Sequence, residues 1–169
     1  EALKNRMFLH PILALTETIE KKHVLTNTHD SLYKTSLQMF EQNKILGIGP
    51  KMYRKHSRDE RYAVGSSSFN THPHNTYIQL LAETGLTGFV IFLIFVMTFF
   101  YKTIIHFKNL ITGKNHLSDF TICIMTAIFI NIWPIIPTGN FFNNWISIVY
   151  YLPLGFYFSS LCQQEKSNS

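Results

Sequence analysis

Apolar and polar residues are unevenly distributed along this chain. Over residues 29–46, Leu32, Tyr33, Ser36, Leu37 and Phe40 recur with helical spacing, which predicts a helix with one buried face. Thr28 or Asp30 suits its start, and Asn43 followed by Gly47 suits its end. A second pattern runs from polar to apolar: Thr71-His72-Pro73-His74-Asn75-Thr76-Tyr77-Ile78-Gln79-Leu80-Leu81-Ala82-Glu83-Thr84-Gly85-Leu86-Thr87-Gly88. Its spacing predicts a helix with Pro73 in the first helical position, where a missing N–H costs nothing. Asn75, Gln79 and Glu83 then fall on one face, and His72 and His74, two positions apart, point roughly 200° away from each other. Gly85 and Gly88 break or bend this helix or let another helix pack close. From Thr84 to Tyr101 no residue is charged, enough to cross a hydrocarbon core of about 30 Å. Residues 120–164 also lack charge but are too long for one span. Pro134, Pro137, Gly139, Asn140, Asn143 and Asn144 divide them, giving expected spans at 84–101, 120–136 and 145–162. Residues 1–28 hold a short apolar patch, Phe8, Leu9, Ile12, Leu13 and Leu15, interrupted by Pro11. It suits an interfacial or buried helix rather than a span.

Charge sharpens the division. Residues 1–85 hold eleven of the fifteen Lys and Arg and eight of the ten Asp and Glu. The expected architecture is therefore an all-α integral membrane protein: a polar helical loop region over 1–83, then about three transmembrane helices within 84–169 and a short tail. The chain opens on Glu1 without a signal-like segment and reads as the C-terminal part of something longer. Lys102, His106, Lys108 and Lys114 mark one end of the first span. The excess of positive charge places that end in the cytoplasm and the histidine-bearing end on the opposite side.

The candidate chemistry is concentrated ahead of the first span. A helix N-terminus favours anions and keeps a nearby imidazole neutral and usable as a base; the bland alternative for His72 and His74 is local hydrogen bonding at a capped helix. Lys51, Arg54, Lys55, Arg58 and Arg61 form a basic cluster, either a solvated loop or, through planar guanidinium forks, a phosphate grip. No aromatic interleaving or fold motif points to nucleic acid. Leu46-Gly47-Ile48-Gly49-Pro50 lacks the glycine spacing and Lys-Ser/Thr pair of a phosphate loop and reads as a tight turn. Residues 62–70 look like a flexible connector. His29, His56, His72 and His74 lack a zinc spacing on one element. Cys123 and Cys162 fall in separate spans, so neither a disulfide nor a cysteine metal site is expected.

His74-Asn75, nine residues, Gly85, two residues, Gly88 resembles the signature of the bacterial O-antigen ligase and O-antigen polymerase superfamily. The fuller His72-Pro73-His74-Asn75-Thr76-Tyr77 string, the turn at Leu46–Pro50 followed by Tyr53, and Thr138-Gly139-Asn140-Phe141-Phe142-Asn143-Asn144-Trp145 resemble the polymerase branch. Where many relatives carry an Arg just before the first helix, this sequence has His29. The resemblance implies a multi-pass protein of the bacterial inner membrane with its site facing the periplasm. Its substrate would be a glycan on undecaprenyl pyrophosphate, passed to another repeat unit or, in a ligase, to lipid A–core. It implies His74 as the base or acceptor-positioning residue. Arg54, Arg58, Arg61, His72, Asn75, Gln79 and Glu83 are the expected pyrophosphate or sugar contacts, with no metal or other cofactor and an inverting displacement. A chain-length regulator is a further expected partner. A non-enzymatic membrane partner of polysaccharide export is the alternative of a different class.

Overall fold

The computed structural model describes Leu13 and residues 27–65, 67–114 and 117–168, with side chains to Gln163. The apolar patch expected near the N-terminus lies outside these residues apart from Leu13. Among the described residues there are five helices: α1 (Asn27–Gln42), α2 (Tyr53–His56), α3 (Thr76–Ile111), α4 (Asp119–Ile132) and α5 (Asn144–Asn168).

Helix α1 ends four residues before the expected boundary at residue 46, where Asn43 Nδ2 returns to the Met39 carbonyl at 3.1 Å. Its buried face is Ser31, Leu32, Thr35, Ser36 and Met39, while Leu37 is exposed. The face is turned from the one expected because small hydroxyl residues receive a loop there. Val64 N–H donates to Thr35 Oγ1 at 3.1 Å, Ser31 Oγ bonds the Val64 carbonyl, and the Tyr53 hydroxyl donates to the Leu32 carbonyl at 3.3 Å. Residues 62–65 are thus packed on α1 rather than forming part of a flexible connector. Met39, Tyr53, Tyr62 and Ala82 close a small core between α1 and the start of α3.

Helix α3 is two limbs. Gly85 has φ 61 and ψ −160, outside helical geometry, and the break frees backbone groups that a neighbouring loop satisfies. Ile48 and Gly49 N–H groups donate to the Ala82 and Glu83 carbonyls at 3.0 and 2.9 Å, and Leu86 N–H donates to the Lys44 carbonyl at 2.8 Å. A Cβ on Gly85 would lie 2.5 Å from the Ile45 carbonyl oxygen, and one on Gly47 would lie 2.5 Å from the Glu83 carbonyl carbon. The two glycines let the strands of backbone cross in contact.

The second limb, residues 86–111, runs past the expected end at 101 and is about 39 Å long at roughly 1.5 Å per residue. Helices α3 and α5 are long and apolar enough to cross a membrane. Helix α4 is not. It has 14 residues, about 21 Å, because Trp133 before Pro134 takes extended geometry. The expected middle span is therefore a short helix followed by irregular backbone over residues 133–143. Val96, Phe99, Ile124, Met125, Ile128, Ile132 and Tyr157 form the second core, between α3, α4 and α5.

Candidate functional site

The site is assembled where residues 133–143 fold back onto the start of α3. The N-cap is Asn75 and not a residue ahead of Pro73: its Oδ1 accepts from Tyr77 and Ile78 N–H at 3.0 and 3.2 Å. Its Nδ2 donates to the Pro134 carbonyl at 2.8 Å. The His74 carbonyl accepts from Thr138 N–H at 3.0 Å, Thr76 Oγ1 donates to Thr138 Oγ1 at 2.9 Å, and the Tyr77 hydroxyl bonds the Ile132 carbonyl. Non-helical backbone is acceptable beside a membrane when protein groups satisfy it in this way.

Because the helix begins later than expected, His72 and His74 lie in the turn before it. His74 has φ 58, a left-handed conformation uncommon outside glycine. This folds the two histidines together: their ring centroids are 4.2 Å apart, which overturns the expectation that they point away from each other. The His29 ring, from the first turn of α1, lies 6.0 Å from that of His74. Asn70 Oδ1 accepts from Thr71 N–H at 2.7 Å, so its amide nitrogen faces His74 Nε2, 3.1 Å away. Nε2 is then the acceptor, and the neutral ring carries its proton on Nδ1. Burial first, then the neighbouring His29, holds His74 below the ordinary histidine range. Burial first, then His74, does the same to His72, with the Thr138 backbone opposing. Crowded imidazoles disfavour one another's charged form, and both stay neutral near neutral pH.

Beside this turn is an open cleft of about 530 Å³. Lys51, Arg54 and His72 line it from one side and Asn140, Asn143 and Trp145 from the other. Lys51 Nζ reaches across to Asn144 Oδ1 at 3.1 Å. Beneath it a buried pair ties the two walls. Glu83 Oε1 accepts from Tyr53 N–H at 2.7 Å, at the start of the helix that carries Arg54. Glu83 Oε2 accepts from Gln79 Nε2 at 2.9 Å. Gln79 Nε2 also bonds Asn140 Oδ1 at 2.8 Å, and Gln79 Oε1 accepts from Phe141 N–H at 3.0 Å.

The expected site residues therefore separate. His72 and Arg54 line the cleft, and the His74 ring lies next to that of His72, 4.2 Å between centroids. Gln79 and Glu83 have no exposed surface, and Asn75 is committed to capping, so these residues build the cleft and present no atom to a sugar. Arg61 is removed from it: its guanidinium grips Asp59, with Nε 3.1 Å from both carboxylate oxygens. Hydrogen bonds from the Arg61 side chain first, then its backbone, hold the Asp59 carboxyl down to about 2. Arg58 lies over the Phe69 ring, 3.7 Å from its centroid, in a neighbouring cleft. Sequence reasoning counted Lys51 in the basic cluster without naming it as a contact, and did not assign Asn70, Asn140, Asn143 or Trp145 to the site. The cue for the last three was their place in one polar turn between apolar stretches.

Residues 16–93 match the family model described as O-antigen ligase. The match takes in α1, α2, the turn that carries His74, and α3 as far as residue 93, including Gly85 and Gly88. No curated protein matches the chain, nor does any solved structure.

Proposed function

We propose, from the match of residues 16–93 to the family model described as O-antigen ligase, that this chain polymerises glycan repeat units carried on a lipid pyrophosphate at the periplasmic face of the inner membrane. Members of the family are enzymes of O-antigen assembly. The observation that carries the reading is the cleft in which Lys51, Arg54 and a half-buried His72 converge beside a neutral His74.

In this reading the acceptor hydroxyl displaces Asn70 from His74 Nε2 and gives that nitrogen its proton as its oxygen bonds the anomeric carbon. The bond from that carbon to the pyrophosphate oxygen breaks, and its electron pair leaves with the pyrophosphate. Lys51 and Arg54 receive the developing charge. One displacement inverts the anomeric centre. Cations of the chain supply the charge, so transfer in membranes is expected to persist in excess EDTA; loss of transfer restored by a divalent ion overturns that point.

The polymerase reading is supported by two stretches that resemble that branch, the His72–Tyr77 string and the Thr138–Trp145 turn, both of which contribute to this cleft. The ligase reading shares the chemistry and follows the description of the matching family; a chain-length regulator is a partner of the polymerase reading only. Lipopolysaccharide gels of a deletion strain separate the two: core plus one repeat for a lost polymerase, bare core for a lost ligase. In the complemented strain, His74→Ala is expected to abolish long-chain banding with the protein still at normal level, since a lost general base costs about 10²–10⁴-fold in rate. His72→Ala is expected to weaken banding less. A full ladder from His74→Ala beside an empty lane from His72→Ala assigns the base to His72, and full ladders from both refute a catalytic role for this turn.

A further inference from the structure

The basic segment carries more charge than a pyrophosphate needs, and part of it belongs to another cavity. Lys51, Arg54, Lys55 and Arg58, with Phe69, line a second open cleft of about 480 Å³. It shares Lys51 and Arg54 with the histidine-side cleft, while Lys55, Arg58 and Phe69 line it alone. The local carboxylates do not neutralise these four cations. Asp59 is held by Arg61, and the exposed Glu60 pairs with none of them. A pyrophosphate diester has one ionised oxygen on each phosphate, which Lys51 and Arg54 match. Lys55 and Arg58 remain.

Arg58 is also held in place. Its guanidinium stacks on Phe69 at 3.7 Å from the ring centroid, an arrangement that occupies the π face and restricts the long side chain. The N–H donors lie in the guanidinium plane and stay directed outward in a fork that fits a carboxylate or phosphate group. A fork set over a ring beside Lys55 suits an anion, in a cleft that shares Lys51 and Arg54 with the histidine-side cleft.

We propose that the Lys55–Arg58–Phe69 cleft binds an acidic substituent, a carboxylate or phosphate, on the glycan, so that the substrate of this protein is an acidic polysaccharide. The proposal rests on the glycosyltransferase reading above and adds to it the charge class of the sugar. An anionic lipid headgroup offers the same oxygens, but the shared Lys51 and Arg54 join this cleft to the glycan path.

The test uses the complete protein in nanodiscs of zwitterionic lipid, with oligogalacturonate as the acidic probe and a malto-oligosaccharide of equal length as the neutral one. Oligogalacturonate is expected to bind, to weaken steeply as salt is raised, and to weaken about tenfold or more in Lys55→Gln/Arg58→Gln through loss of two charge-assisted contacts. The neutral probe is expected to bind more weakly and to ignore the double variant. Equal binding of the two probes by the unaltered protein overturns the proposal without reliance on any variant. Unchanged oligogalacturonate binding in the double variant also overturns it. So does a double variant that loses only the attachment of the protein's surface to anionic-lipid vesicles, which makes the cleft a membrane contact. Transfer by His74→Ala in the same nanodiscs keeps the two readings apart. Transfer lost there with no acidic preference leaves the glycosyltransferase standing and the acidic subsite refuted. Acidic preference with transfer unaffected refutes the catalytic turn alone.

Discussion

Glu83 shows how little a residue's type and register reveal of its work. On a helix facing solvent, Asn75, Gln79 and Glu83 would be a polar stripe suited to sugar hydroxyls. In the fold the stripe is interior and fully used. Replacing Glu83 by Gln introduces an NH₂ that must meet either the Tyr53 N–H or the Gln79 NH₂, donor against donor. Gln79 cannot turn over to relieve this without abandoning Phe141 N–H. Glu83→Gln is expected to cost about 1–3 kcal/mol, seen as a lower unfolding temperature in detergent, and a variant as stable as the parent refutes the bonding scheme. The histidines give a second prediction. Both have folded values lowered from the usual histidine value, so the fold favours their neutral forms. The unfolded chain binds more protons as pH drops below about 6.5, so stability is full above that pH and declines below it. The acid limb of kcat/KM should fall with an apparent pKa below about 6.5, and a limb at 7 or above contradicts His74 as the base. The pairing of these rings was not legible in the sequence. It depends on the left-handed backbone at His74, and nothing in His-Pro-His-Asn announces that conformation at the second histidine instead of a helix starting at the proline.

At the scale of elements, the joint between the Lys44–Gly49 segment and the break in α3 is the feature on which the site's two layers depend. Gly85 was visible as a break or bend, and Gly47 as a turn, but not that each needs the other's missing Cβ. Gly113 provides the control, because its φ is +66 but nothing lies within 4 Å of the position of its Cβ. Gly113→Ala is expected to show only the strain of a positive φ, about 1 kcal/mol. Gly85→Ala adds a collision with the Ile45 carbonyl and is expected to lower the unfolding temperature far more, or to yield aggregated protein on size exclusion. Equal behaviour of the two variants contradicts the crossed-backbone joint. Helix α4 departs from its expected length for a local reason. Hydropathy continues through Ile135 and Ile136, but Pro134 and Pro137 end the helix early, and apolar character was read as span where it is a folded return. Uncharged stretches such as Leu86–Tyr101 were legible because a long apolar helix needs only composition. The return over residues 133–143 was not, since its shape follows from hydrogen bonds to partners some sixty positions away, such as that of Thr76 to Thr138.

In the whole molecule these joints place the polar chemistry at one end of the helical bundle. The N-terminal end of α3, the irregular residues 133–143 and the start of α5 meet around the cleft. Along residues 86–111 of α3, about 39 Å away at roughly 1.5 Å per residue, the chain turns through Gly113 and Lys114 into the Ser118 cap of α4. His106 binds that turn, its Nδ1 accepting from Leu117 N–H at 3.3 Å. A span-length helix limb therefore lies between Lys114 and the cleft, and the positive residues Lys102, Lys108 and Lys114 all fall toward the far end. Because positive charge is retained on the cytoplasmic side, Lys114 is expected inside and Asn140 outside. Single-cysteine labelling of spheroplasts with an impermeant maleimide tests this, after Cys123 and Cys162, both exposed on the helices, are changed to Ser. Labelling at position 140 without labelling at 114 is the expected pattern. The reverse pattern puts the cleft in the cytoplasm and contradicts transfer at the periplasmic face. Labelling at both positions shows that residues 86–111 do not separate the two sides, despite having the length and apolar composition to do so.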